Sequence, residues 1–159
     1  FPAQMFAFTT SSSAATLPVT MRQTTGKLGV SETVADFVLP IGVTINMDGT
    51  SCYQAIAAVF IAQVFGLDLT LTQQLIIVLT ATLSSIGTPG VPGGSIIMLV
   101  IVLSSVGLPA AGLALILGID RPLDMLRTVV NITGDSTVSA IVSKSEGDLN
   151  YPVKKKPVS

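Results

Sequence analysis

The stretch GIDRPLDMLRTVVNITGDST, residues 118–137, decides the reading of this chain. It lies in an apolar region and yet carries Asp120, Arg121, Asp124, Arg127 and Asp135. On an α-helix turning about 100° per residue, Asp120, Asp124, Arg127, Thr128, Asn131 and Asp135 fall within an arc of roughly 100°. Leu123, Leu126, Val129, Val130 and Ile132 fall mostly elsewhere. The polar stripe is about 22 Å long at 1.5 Å per residue.

The rest of the chain sets the medium in which that stripe sits. Charged residues are 11% of 159, against about 25% for soluble domains. Hydrophobic residues are 49% and the mean hydropathy is +0.75, values that point to a membrane protein. In a bilayer a charge costs about 2.5–3.5 kcal/mol on insertion scales, so such residues face a cavity and mark a pathway. The net charge of -1 gives no footprint for nucleic acid. His is absent, which removes imidazole metal sites and a Ser-His-Asp triad. No nucleophile–base pair stands out, so the chain does not read as an enzyme. The lone Cys52 sits in an apolar run and is expected to be a small core residue. The opening FPAQMFAF has no initiator Met and no signal-peptide pattern, which reads as the middle of a longer protein.

Apolar segments recur, each broken by a short polar or glycine-rich piece. SSSAATLP follows a short apolar start, NMDGT (46–50) interrupts residues 34–66, and TPGVPGG (88–94) interrupts residues 74–107. In lipid an unwound segment survives only when buried in protein or lining a polar cavity. Discontinuous helices of this kind are the best sequence pointer to a transporter's binding site. The fold class expected is an all-α membrane protein: two re-entrant helical hairpins, a broken transmembrane helix and a final amphipathic transmembrane helix.

The chemistry of the stripe follows from its residue types. Arg127 offers a planar fork for a carboxylate, Asp124 suits an ammonium group, and Asn131 donates or accepts. Together they suit a zwitterion with an extra acid; an internal Asp124–Arg127 ion pair is the competing reading. Asp135 has no cation nearby in sequence and invites a bound cation. Asp120 and Arg121 read as a structural pair or cap. Asn46 and Asp48 bring hard oxygen ligands of the kind Na+ takes. No GxxxxGK[ST] loop occurs, which leaves an ion gradient as the energy source.

SSSAATLP, NMDGT, GTPGVPGG and DMLRTVVNITGDST, in this order, resemble the C-terminal half of the glutamate transporter family, the dicarboxylate/amino acid:cation symporters. The likeness runs over about residues 3–147. It implies that 1–147 is the C-terminal part of a transport (elevator) domain and 148–159 a polar cytoplasmic tail. It further implies that Ser11–Ala14 is the first hairpin tip, that 32–66 is a helix unwound at Asn46–Thr50, and that 70–107 is the gating hairpin with its tip at Gly87–Gly94. Substrate contacts implied are Ser12, Ser13, Thr50, Gly90, Val91, Pro92, Gly93, Asp124, Arg127, Thr128 and Asn131. In that scheme Asp124 takes the amino group, Arg127 the side-chain carboxylate and Asn131 the α-carboxylate. Sodium sites implied are Gly42, Asn46, Asn131 and Asp135; Thr44, Ser85, Ile86 and Thr88; and Asn46 with Asp48, Met47 lying between the ions.

Some relatives carry an extra Arg where this chain has Ser11 or Met125, and Ala14 replaces a common serine. Neutral-amino-acid relatives lack the counterpart of Arg127 and C4-dicarboxylate relatives that of Asp124; both residues here favour an acidic amino acid. The resemblance implies a homotrimer in a full-length parent whose six preceding helices are absent from this chain. Lys144, Lys154, Lys155 and Lys156 put the C-terminus on the cytoplasmic side of the cell membrane. The resulting expectation is sodium-coupled symport of glutamate or aspartate across a lipid bilayer. A C4-dicarboxylate or proton-coupled glutamate symporter, a channel and a non-transporting membrane fragment stay open beside it.

Overall fold

The computed structural model describes residues 2–150. It is all helical: α1 (Pro2–Thr10), α2 (Ser13–Gln23), α3 (Glu32–Ile45), α4 (Asp48–Val64), α5 (Leu71–Ile86), α6 (Gly94–Ser105) and α7 (Leu113–Ser145), with a π turn at Thr24–Leu28 and a 3-10 turn at Ala110–Gly112. The long α7 is the axis on which α1, α3 and α4 pack, while α5 and α6 pair with each other and lean on α4.

Local chemistry sets the boundaries. Ser12 caps α2 by accepting from the Ala15 N–H, and Ser31 caps α3 by accepting from Val34. Thr70 and Gln73 form a reciprocal capping box at the start of α5. After Gln23 a π turn prolongs α2 until Gly29 closes it with φ 76°. Gly93, at φ 77°, turns the chain into α6, a left-handed conformation that glycine adopts without steric cost.

The main core joins Ala57, Ala58 and Ile61 of α4, Ile77 and Ala81 of α5, Leu99 and Leu103 of α6, and Ile116 of α7. Ala3 and Ala7 of α1 rest on Ile132, tying the first helical pair to the same axis. The last described residues are fastened too: Leu149 packs on the Val30–Leu39 cluster and the Asn150 N–H donates to the Gly29 carbonyl at 2.7 Å. Lys154, Lys155 and Lys156, read above as a cytoplasmic tail, lie outside the described residues.

Among the described residues no helix is long and apolar enough to cross a membrane by itself. The breaks keep α1 to α6 short, and the 33-residue α7, about 50 Å long, carries charges throughout its middle.

Candidate functional site

The predicted polar face of α7 is its buried face. Asp120, Asp124, Arg127, Thr128, Asn131 and Asp135 are each at most 7% exposed, while Leu126 and Val130 between them are at least half exposed. Periodicity alone therefore located the row correctly. The structure adds what each member meets.

The break between α3 and α4 is narrower than expected. Only Asn46 and Met47 are non-helical; Asp48, Gly49 and Thr50 already belong to α4. The cause lies 82 residues away, where Asn131 Oδ1 accepts the Gly49 N–H at 2.8 Å and stands in for a cap. Asp48 in the first turn also complements the positive end of the helix. Gly49 is required there, since a Cβ would lie 2.6 Å from the Arg127 carbonyl oxygen.

A small polar cavity lies where the tips of the two helical pairs meet this break and α7. Its lining includes Ser13, Thr50, Gly90, Val91, Asp124, Thr128 and Asn131 of the expected substrate contacts. Met47, Thr88, Pro89, Ser11 and Ser95 complete it. About 10 Å³ is free, room for a single water. The tips close it: Ser12 Oγ donates to the Gly90 carbonyl at 2.8 Å, and the Ala14 N–H donates to the same oxygen at 3.2 Å. The Gly93 N–H donates to Asp124 Oδ2 at 3.0 Å. Ser12 and Gly93 thus act as clasps beside the cavity, and Pro92 faces outward.

Arg127 does not line this cavity. Its guanidinium donates to Asp124 at 2.9 Å and to Asp120 at 2.8 Å, and lies 3.9 Å above the Tyr53 ring. Asp120 also accepts from the Tyr53 hydroxyl at 2.9 Å. Pairing of Asp120 with Arg121 is thereby corrected: Arg121 is exposed, and Asp120 reaches two helical turns along to Arg127 instead. Sequence reasoning missed Tyr53, although Tyr53 lies three residues beyond Thr50 and hence on the same face of α4.

The expected cation residues divide. Asp135 is 1% exposed, and Asn46 Nδ2 donates to it at 3.0 Å. Gly42 packs so closely that a Cβ would overlap the Asp135 carboxylate. Asp48 and Asn46 converge over Gly134, where an added Cβ would lie 2.6 Å from Asp48 Oδ2 and 2.9 Å from Asn46 Nδ2. Asn131 turns away from this group, donating to Met47 Sδ at 3.2 Å and Thr50 Oγ1 at 3.3 Å. In the other set Ser85 and Thr88 are buried, with hydroxyls bonded to Thr82 and Ser84 carbonyls, whereas Thr44 and Ile86 are exposed. The Asp135 and Asp48 carboxylates supply hard oxygens here, Asn46 turns its Nδ2 toward them, and Asp135 has no basic partner among the described residues.

A larger groove of about 400 Å³ runs between α4 and α7, lined by Ile56, Phe60, Ile119, Leu126 and Val130. It is apolar and offers little to an amino acid. Cys52 opens onto it and is exposed, which corrects the expectation of a core cysteine. An apolar run does not reveal which of its members face outward.

The model of the sodium:dicarboxylate symporter family matches residues 1–145. The chain is 46% identical over 154 residues to the proton/sodium-glutamate symport protein of Bacillus subtilis (strain 168), covering 97% of this chain and 35% of that protein. It is 54% identical over 134 residues to excitatory amino acid transporter 3 of Mus musculus, covering 84% of this chain and 26% of that protein. To the Homo sapiens excitatory amino acid transporter 3 it is 52% identical over 134 residues. The chain thus spans about a quarter to a third of the length of these relatives. The match of the family model over nearly the whole chain, on the residues that build the cavity, makes the chain a member of the sodium:dicarboxylate symporter family.

Proposed function

We propose that the complete protein is a secondary transporter of the cell membrane that carries glutamate or aspartate inward with sodium ions, and that this chain supplies both the substrate and the cation sites. The observation that carries the reading is the polar cavity between the two tips, floored by Asp124, Thr128 and Asn131 in an otherwise apolar chain. The names of the relatives agree with it, one as a proton/sodium-glutamate symport protein and the other as an excitatory amino acid transporter.

Several further statements belong to the same proposal. Residues 1–147 form the C-terminal part of a transport domain. The pairs α1–α2 and α5–α6 enter the bilayer as re-entrant hairpins, α3–α4 is a broken spanning helix and α7 spans. Outward-facing Phe37, Leu71 and Ile97, each at least 70% exposed, suit lipid or a neighbouring protein surface. The whole protein is a homotrimer with its C-terminus in the cytoplasm.

The mechanism is an exchange of ion pairs. The α5–α6 tip lifts, breaking the Gly90 and Gly93 hydrogen bonds, and opens the cavity to an amino acid. The substrate ammonium takes the Asp124 carboxylate from Arg127. Arg127, freed on that side, turns its fork to the substrate's side-chain carboxylate, and the Asn131 amide donates to the α-carboxylate. Sodium, carried as cargo, meets Asp135 with Asn46, Asp48, Gly42 and Asn131; a second ion takes Thr44, Ser85, Ile86 and Thr88 beside the tip. Closure then restores the clasp from Ser12 to Gly90.

The test is calorimetric titration of the complete, purified protein with aspartate and with glutamate, in sodium and in choline. Binding that requires sodium is expected. Equal binding in choline refutes sodium coupling, and binding of succinate in preference to aspartate refutes the amino-acid reading. Proton coupling is the second reading, favoured by the name of the Bacillus subtilis relative; it is marked by binding that follows pH and not sodium.

A further inference from the structure

The cavity has polar capacity that its own walls do not use. Among the described residues, buried side-chain atoms without a hydrogen-bond partner include the hydroxyls of Ser11 and Ser95, and both line this cavity. Among its other polar walls, Thr50, Thr88, Asp124, Thr128 and Asn131 are engaged with protein groups. Ser95 is 4% exposed, so water outside the protein does not reach it. Most helical serines here spend their hydroxyl on a backbone carbonyl in the preceding turn, as Ser104, Ser136 and Ser139 do. Ser95 is the second residue of α6 and has no such turn before it.

The location of Ser95 is also fixed. Gln54, fully buried on α4, donates through Nε2 to the Ser95 carbonyl at 3.3 Å. The end of α6 at which Ser95 sits already holds one carboxylate, that of Asp124 on the Gly93 N–H. That end carries the positive partial charge of a 12-residue helix. A hydroxyl placed there donates best to an anionic oxygen.

We propose that Ser95 is a further substrate contact, its Oγ–H donating to a carboxylate oxygen of the bound acidic amino acid. The proposal rests on the symporter reading above. It assigns to the start of α6 a side-chain role beyond the tip residues Gly90 to Gly93. Gln54 acts as a positioning residue, holding the Ser95 backbone from α4.

The experiment measures aspartate affinity in the complete protein for wild type, Ser95→Ala, Ser95→Gly and Ser95→Thr, in saturating sodium. Loss of a hydrogen bond to a charged group weakens binding about tenfold to a hundredfold, and this is expected for Ala and Gly. Ser95→Thr keeps the hydroxyl and is expected within about threefold of wild type. The melting temperature without aspartate supplies the second readout. Ser95→Ala deletes a buried, unpaired hydroxyl, so it is expected to melt no lower than wild type when aspartate is absent. A lower substrate-free melting temperature with unchanged affinity makes the serine structural and overturns the proposal. Affinity within twofold of wild type in both Ala and Gly variants overturns it as well, leaving the hydroxyl to a water. If the wild type binds neither aspartate nor glutamate, the symporter reading falls and takes this inference with it; wild-type binding with insensitive variants overturns this inference alone.

Discussion

Neutralising Asp135 gives the sharpest test of the cation site, because the expected effect changes sign with the salt present. Asp135 is 1% exposed and its side chain receives one hydrogen bond, from Asn46 at 3.0 Å. Asp120 and Asp124 share Arg127, but Asp135 has no basic partner among the described residues. Burying an ion costs several kcal/mol even after relaxation. The hydrogen bond to a charged acceptor returns about 1.5–3 kcal/mol. Without a cation the site is therefore unfavourable by roughly a few kcal/mol on these figures. Asp135→Asn keeps the shape and keeps an acceptor oxygen for Asn46, while removing the charge. In choline chloride the variant is expected to be as stable as wild type or more so, by about 1–3 kcal/mol. Sodium at a hundred times the dissociation constant of this site stabilises wild type by about 2.7 kcal/mol through it, and the variant is expected to lose that share of the rise. Thermal unfolding of the complete protein in the two salts reads both effects. An undiminished sodium-dependent rise in the variant, or a clear loss of stability in choline, refutes the reasoning.

Other perturbations bear on different parts of the site. Arg127→Cys removes the cation between Asp120 and Asp124; calorimetry should show aspartate affinity falling at least about a hundredfold while a neutral amino acid still binds, since the lost contacts are charge-assisted. The same variant leaves two buried carboxylates facing each other and should lose about 3–5 kcal/mol of stability before ligand is added. Gly49→Ala sets a Cβ 2.6 Å from a backbone oxygen that cannot swing aside, and thermal unfolding should show a loss of about 1–3 kcal/mol. Ser12→Ala removes both the α2 cap and the clasp to Gly90; hydrogen exchange across residues 87–94 should quicken, with a cap cost of about 0.5–2 kcal/mol.

What the sequence disclosed and what it withheld divide along a physical line. The polar face of α7 was legible because helical periodicity is a local property, and all six residues placed on it are buried. The breaks near Ser11, Asn46 and Thr88 were legible for the same reason, through serine, glycine and proline. The length of the middle break was not, because the group that caps Gly49 is Asn131, on another helix. Arg127 could be matched to Asp124 by its three-residue spacing, but Asp120 lies seven residues back, and only the stacking of Tyr53 from α4 makes that second pair intelligible. Ser95 carried no signal beyond its position after two glycines. Its isolation appears only when the cavity is assembled from four helices and two tips.

The arrangement of Arg127 explains how such a charged pocket persists in an apolar chain while still accepting a charged ligand. With the tips closed, one guanidinium is shared by two carboxylates and covered by an aromatic face, so no member of the group is an isolated buried charge. On the proposed reading an acidic amino acid brings one positive and two negative groups. Its ammonium replaces the guanidinium at Asp124, and its side-chain carboxylate replaces Asp124 at the guanidinium. Asp120 and Tyr53 keep hold of Arg127 during that exchange, so the arginine pivots and is never released. The ligand's remaining negative charge is the part the walls leave uncompensated. The donors at the start of α6 offset part of it, and a bound cation cancels the Asp135 charge that would otherwise add to it, which gives a physical reason for amino acid and sodium to bind together. A neutral amino acid would lack the second half of the exchange and leave Arg127 short of one carboxylate, and it is this shortfall, more than cavity volume, that discriminates against it.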